Sequence, residues 1–124
     1  MVILDTSIFI EYLRAKDKSK TVLFGLSDNV VLSLSAVTYY ELLMGATNGA
    51  KKEDIRLLTE DLAILPFSFD IAEKAATIFN DLKQKNKLIE FRDIFIAATA
   101  ISNQLPLKTL NIKHFERIKN LILL

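Results

Sequence analysis

Apolar residues along this chain follow two alternating rhythms. Short, nearly unbroken runs at Val2–Leu4, Val30–Leu34, Ala63–Pro66, Leu107–Leu110 and Leu121–Leu124 read as strands. Runs that stay apolar at successive positions suit parallel strands covered on both faces. Between them the spacing widens to three and four residues. Lys51–Leu62 places Ile55, Leu58 and Leu62 on one helical face, and Ile71, Ala75, Ile78 and Leu82 do the same for a second helix. Asp70 and Glu73 stand at capping-box spacing where that helix begins, and Asn86-Lys87 closes it. Gly45 and Gly49 punctuate the turn before Lys51, and a third helical run follows at Phe91–Asn103. The alternation predicts one α/β domain over residues 1–124, three layers deep, with a five-stranded, mainly parallel sheet. In such sheets the ligand crevice opens beyond the carboxyl ends of the strands, where Asp5 falls.

Three carboxylates break this pattern. Asp5 follows Val2-Ile3-Leu4, Glu41 interrupts Ala36–Met44, and Asp93 opens the run Ile94–Ile101. Ionised acids are rarely buried unless paired or metal-bound, because removing water from an ion is costly. Each has a plainer reading alone. Asp5 is placed to cap a helix, and Asp93 sits near a helix N-terminus with Arg92 and Lys87 as possible partners. Glu41 shares a stripe with Val37, Tyr40 and Met44, the spacing of a core-facing face, and no basic residue lies within one turn of it. Three such acids in three separate elements point instead to one shared cation site. Oxygen ligands without thiolates select hard cations, Mg²⁺ or Mn²⁺. Such an ion lowers the pKa of bound water and neutralises charge on a phosphoryl oxygen, and a pair of ions serves both attacking and leaving oxygens. The matching chemistry is phosphodiester hydrolysis.

Composition narrows the setting. With Cys 0 there is neither a disulfide framework nor a thiolate site, and no run resembles a signal peptide or a membrane span, so a cytoplasmic protein is expected. Lys+Arg 16 against Asp+Glu 15 gives a net charge of +1, so net charge announces no nucleic acid. Basic clusters at Arg14–Lys20, Lys83–Lys87 and Lys113–Lys119 read first as solvated helix ends. Apolar content of 51% with mean hydropathy +0.28 is rich for this length, and a homodimer or partner interface would bury the surplus. Only Gly 3 is available, and none forms a phosphate-cradling loop.

Four segments in order carry a resemblance: Val2–Ser7, Thr38–Gly45, Arg92–Ala100 and Thr109–Phe115. Together they resemble the motifs of PIN-domain ribonucleases, and most closely those of VapC-type toxins of toxin–antitoxin pairs. The resemblance implies a three-layer α/β/α PIN-like fold with Asp5, Glu41 and Asp93 as metal-binding and catalytic acids. It implies an endoribonuclease that uses one or two Mg²⁺ or Mn²⁺ ions. It also implies an RNA substrate, a homodimer, and a small antitoxin that holds the enzyme inactive. Many members carry a fourth acid where this chain reads Thr109–His114, with Asn111 at the equivalent place and His114, the sole histidine, close by. Asn ligates through its carbonyl but adds no charge, so a second ion is expected to bind more weakly. For His114 a surface role is expected ahead of catalysis.

Thr6, Ser7 and Thr109 bring hydroxyls near the crevice, either to orient the acids or simply to cap and turn the chain. Lys108, Lys113 and Arg117 are the candidates for guiding the RNA backbone, a role that carries no sequence information. Tyr39, Tyr40 and Phe91 have rings that stack on bases, although aromatics beside apolar runs are more often core. A receiver-type signalling domain fits the length and fails on the residues, because Asp5 has no acidic neighbour and Leu65-Pro66-Phe67 follows the third strand. A HAD-type phosphatase needs a second Asp where Ser7 stands. The remaining alternative is a catalytically weakened PIN-like domain that binds RNA or a protein partner.

Overall fold

A computed structural model of the chain describes residues 1–26 and 28–124. At its centre is a four-stranded parallel sheet: β1 (Val2–Leu4), β2 (Leu32–Ser35), β3 (Ala63–Leu65) and β4 (Leu107–Lys108), in the order β3-β2-β1-β4. β1 is therefore interior, with Ile3 opposite Ser33 on one side and Leu107 on the other. Around the sheet lie α1 (Thr6–Arg14), α2 (Val22–Gly25), α3 (Ala36–Gly45), α4 (Gly49–Thr59), α5 (Phe69–Gln84), α6 (Phe91–Ser102) and α7 (Ile112–Phe115).

Alternation along β1 explains its unbroken apolar run. Ile3 joins a core built with α5, α6 and α7, including Ile78, Leu82, Ile96 and Phe115. Val2 and Leu4 join a second core with Ile8, Phe9, Leu34, Leu42 and Ile55, built with α1, α3 and α4. Both faces of the sheet are thus covered, as expected for parallel strands. Among the described residues no helix is long and apolar enough to cross a membrane.

The expected fifth strand is reduced to one bridge, Leu107 with Leu123. The Leu107 amide donates to Ile122 O and the Leu124 amide to Leu107 O, both at 2.9 Å. One-residue pairing follows from the shortness of β4 itself. Beyond Lys108 the chain leaves the sheet, because the Leu110 amide donates to Ser7 Oγ and the Asn111 amide to Thr109 Oγ1.

The α5 face of Ile71, Ala75, Ile78 and Leu82 is buried as expected. Its cap is Ser68, whose hydroxyl accepts the Ile71 amide, rather than Asp70, which lies within the first turn. The helix closes through Asn86 at φ 55, with the Lys87 amide returning to Leu82 O at 2.9 Å. The Glu41 stripe differs from expectation. Thr38 and Leu42 turn inward, while Tyr40 and Met44 are 58% and 55% exposed, so Glu41 stands at the edge of the buried face. Spacing identifies a stripe but does not tell which side of a helix meets the sheet.

Candidate active site

β1 delivers Asp5 to the carboxyl edge of the sheet, where its amide donates to Lys108 O at 2.9 Å. Asp5 occupies the N-cap position of α1 but makes no side-chain cap bond. Its carboxylate turns instead toward the end of β4. Oδ2 accepts the Ser7 hydroxyl at 2.8 Å and the Thr109 hydroxyl at 2.7 Å. A hydroxyl carries one proton, and here each directs it at the carboxylate while its lone pairs accept an amide from the β4–α7 turn. The clamp holds Asp5 at 1% exposure. No donor among the described residues meets the other oxygen, Oδ1, leaving it as the carboxylate's unused ligand atom.

Glu41 projects from α3 across the α1 N-terminus. Its Oε1 lies 2.8 Å from Thr6 Oγ1, which is also 3.1 Å from Thr38 Oγ1. The single Thr6 proton goes to the carboxylate, the stronger acceptor. Arg92 Nη1 stands 3.8 Å from Glu41 Oε2, an ion pair too long to be a hydrogen bond. The partner missing from the Glu41 helix thus comes from α6, one residue before Asp93.

Asp93 lies in the first turn of α6, whose following residues Ile94, Ile96, Ala97 and Ala100 are buried. Packing of that face aims Asp93 inward, and its side chain is 18% exposed. Its pKa is raised from the ordinary value. Burial is the largest cause and the charge of Asp5 the next; His114 opposes both, and Glu41 adds a further push upward. Asp93 therefore senses both other acids, which come from elements far apart in the chain. His114 Nδ1 lies 3.4 Å from Asp93 Oδ2 on a half-exposed ring. Neither Arg92 nor Lys87 is its partner: Arg92 pairs with Glu41 and Glu90.

The donor set is suited to a hard cation: carboxylate oxygens, one of them unused on Asp5, in a place where like charges repel. Among the described residues no three acid or histidine side chains form a ready-made metal cage. Mg²⁺ does not need one, since it is usually held by one or two carboxylates and keeps several waters.

Thr6, Ser7 and Thr109 all contact the acids directly. Asn111 is exposed and makes no side-chain cap bond at the start of α7. Two of the three basic candidates face elsewhere: Lys108 Nζ donates to Leu124 O at 3.3 Å, and Arg117 to Lys87 O at 3.4 Å. Lys113 is exposed beside His114. Of the aromatics, Tyr39 packs against the core, whereas Tyr40 and Phe91 are 58% and 59% exposed. Sequence reasoning missed Thr38, fully buried behind Thr6; its position three residues before Glu41 was the available signal. A cleft of about 370 Å³ opens against Glu41, walled by Ile10, Leu13 and Ile55, with Arg14 and Lys51 also lining it.

The PIN domain family model matches residues 2–121. The chain is 35% identical to Ribonuclease VapC1 of Rickettsia felis over 127 aligned positions, spanning 97% of this chain and 92% of that protein. The structure of VapBC-1 from nontypeable Haemophilus influenzae superimposes with a TM-score of 0.85 at 31% identity, covering 100% of this chain and 97% of that one. VapBC2 from Rickettsia felis, bound to a DNA fragment from its promoter, superimposes with a TM-score of 0.83 at 30% identity, covering 100% and 98%.

Proposed function

The chain belongs to the PIN-domain family, and we propose that it is a metal-dependent endoribonuclease, the toxin of a VapBC-type toxin–antitoxin pair. The observation that carries the proposal is the gathering of three acids from three elements at one edge of the sheet. Asp5 is buried and clamped by Ser7 and Thr109, Glu41 is held by Thr6, and the pKa of Asp93 is raised first by burial and then by the charges of Asp5 and Glu41. Relatives named as ribonucleases and neighbours solved as toxin–antitoxin complexes support the substrate and the partner.

Asp5, Glu41 and Asp93 would hold Mg²⁺ or Mn²⁺ between them. When bound, the ion supplies a more acidic water and neutralises charge on the phosphoryl oxygens. Ser7 and Thr109 fix Asp5 in one orientation, and Thr6 does the same for Glu41. Asp93, aimed inward by the packing of α6 beside the other two acids, orients the attacking water and accepts its proton. Water adds to phosphorus, the phosphorus–oxygen bond to the leaving strand breaks, and the departing oxygen is protonated from solvent. The site acts in the cytoplasm, where an RNA target and an antitoxin are both at hand.

A homodimer would bury part of the apolar surplus in a chain that is 51% apolar. The second reading, a weakened domain that binds without cutting, is favoured by the neutral Asn111 at the place of the fourth acid. Cleavage of a panel of tRNA, ribosomal fragments and single strands separates the two readings. The enzyme reading predicts products that require Mg²⁺ or Mn²⁺ and disappear with chelator. RNA binding without products across the panel would point to the second reading or to an enzyme whose target lies outside the panel.

A further inference from the structure

Arg92 is the only arginine or lysine among the described residues within 4 Å of a carboxylate of Asp5, Glu41 or Asp93. Its donors are poorly used. A guanidinium carries five N–H groups, and this one makes a single hydrogen bond, to Glu90 Oε1 at 3.2 Å. The pair with Glu41 is longer, at 3.8 Å, and the buried Nε has no acceptor. Arg56 shows what a structural arginine does in the same chain: it clamps Glu53 at 2.8 and 2.6 Å and reaches Glu60 at 3.2 Å. Glu41 does not need Arg92 to hold it, since Thr6 already donates to it at 2.8 Å. An orphaned buried donor is costly, because the water it gave up is not replaced. A guanidinium kept half-satisfied beside the acids is arranged for acceptors that arrive from outside.

We propose that Arg92 is a substrate-binding residue whose guanidinium receives the phosphodiester being cut, exchanging its long contact with Glu41 for phosphate oxygens. The inference rests on the nuclease reading of the site. A phosphate presents several oxygens to a planar fork, and the Glu41 pairing keeps the fork at the crevice until one arrives. The Phe91 ring, 5.7 Å from the guanidinium carbon, supports the plane from one side. Arg92 thus supplies the site-facing cation that Lys108 and Arg117, engaged with backbone carbonyls, do not.

The test compares wild type, Arg92→Gln and Arg92→Lys in steady-state cleavage of one RNA that the wild type cuts, over a range of salt. Thermal midpoints first establish that the variants are folded. Arg92→Gln is expected to lose roughly 100-fold in kcat/KM. Its plot of log kcat/KM against log salt is expected to flatten by about 0.7, the loss of one phosphate contact on a single strand. Arg92→Lys keeps the charge, so it is expected to retain the slope while losing roughly 10-fold for want of the fork. Should Arg92→Gln fail to fold, the Lys variant decides: unchanged kcat/KM would overturn the proposal. A fall in kcat with an unchanged salt slope in Arg92→Gln would mean that Arg92 only positions Glu41. Wild-type kinetics in Arg92→Gln would overturn the inference and leave the nuclease reading standing, whereas a wild type that cuts no RNA removes both.

Discussion

Thr109 lies 104 residues from Asp5 in sequence and 2.7 Å from it in space, so its hydroxyl is the most specific link between β4 and the acidic site. Thr109→Val keeps the shape and removes the hydroxyl. The loss is one hydrogen bond to a charged acceptor, about 1.5–3 kcal/mol. The Asn111 amide also loses its acceptor at 2.9 Å, a smaller term because Asn111 is exposed and water replaces it. The extra buried methyl offsets part of this, leaving a net cost of about 2 kcal/mol. For a chain of this size that is a fall of about 8 °C in Tm. Thr109→Ser keeps the proton and loses one buried methyl, about 1 kcal/mol and about 4 °C. Activity separates the pair more sharply. With its orienting donor removed, Asp5 should lose roughly 10–100-fold in metal affinity or cleavage in the Val variant, and little in the Ser variant. Denaturation by urea with the m-value checked, followed by cleavage assays, measures both. Equal activity in Thr109→Val and Thr109→Ser would refute the idea that this hydroxyl orients Asp5.

Asp93 has a raised pKa in the folded chain, so its ionisation opposes folding. That penalty is absent below the ordinary value of 3.8, grows as pH rises through the folded pKa, and is complete above it. Asp93→Asn should therefore be more stable than wild type at about pH 7, with the gap closing toward about pH 4, as thermal melts at both would show. A bound cation removes the same repulsion. Mg²⁺ or Mn²⁺ at about 100 times its Kd should stabilise wild type by about 2.7 kcal/mol and leave Asp5→Asn nearly unchanged, read by thermal shift. At α5, Ser68→Ala should cost about 1 kcal/mol and Asp70→Ala about 0.5 kcal/mol, without effect on cleavage. The reverse order in urea denaturation would restore Asp70 as the cap.

Much of this site was legible because burial and charge conflict. Asp5, Glu41 and Asp93 each interrupt an apolar run, and the position of Asp5 after the first strand locates the crevice before any contact is known. The hydroxyl clamp was legible only as a set of nearby Thr and Ser residues. Which hydroxyl meets which acid depends on strand order, and β4 becomes the neighbour of β1 only through the sheet. Arg92 was visible as a neighbour of Asp93, yet its partner Glu41 lies 51 positions earlier, and helix packing rather than spacing joins them. Periodicity also misplaced the α3 stripe, since Tyr40 and Met44 share the spacing of a core face and lie in solvent. The last apolar run, Leu121–Leu124, has the composition of a strand but meets only a two-residue partner, so it forms a single bridge. Ser68 was overlooked as a cap because Phe69, 77% exposed, begins the helix without belonging to its apolar face.

The most direct test of the central claim is cleavage of one defined RNA in Mn²⁺ by wild type, Asp5→Asn, Glu41→Gln and Asp93→Asn, each purified identically and confirmed folded. A shared acidic centre predicts that wild type cuts, that chelator stops it, and that every one of the three substitutions lowers the rate by orders of magnitude. Cleavage that persists at the wild-type rate in any folded variant would contradict the assignment of that acid, and persistence in all three would place the chemistry elsewhere.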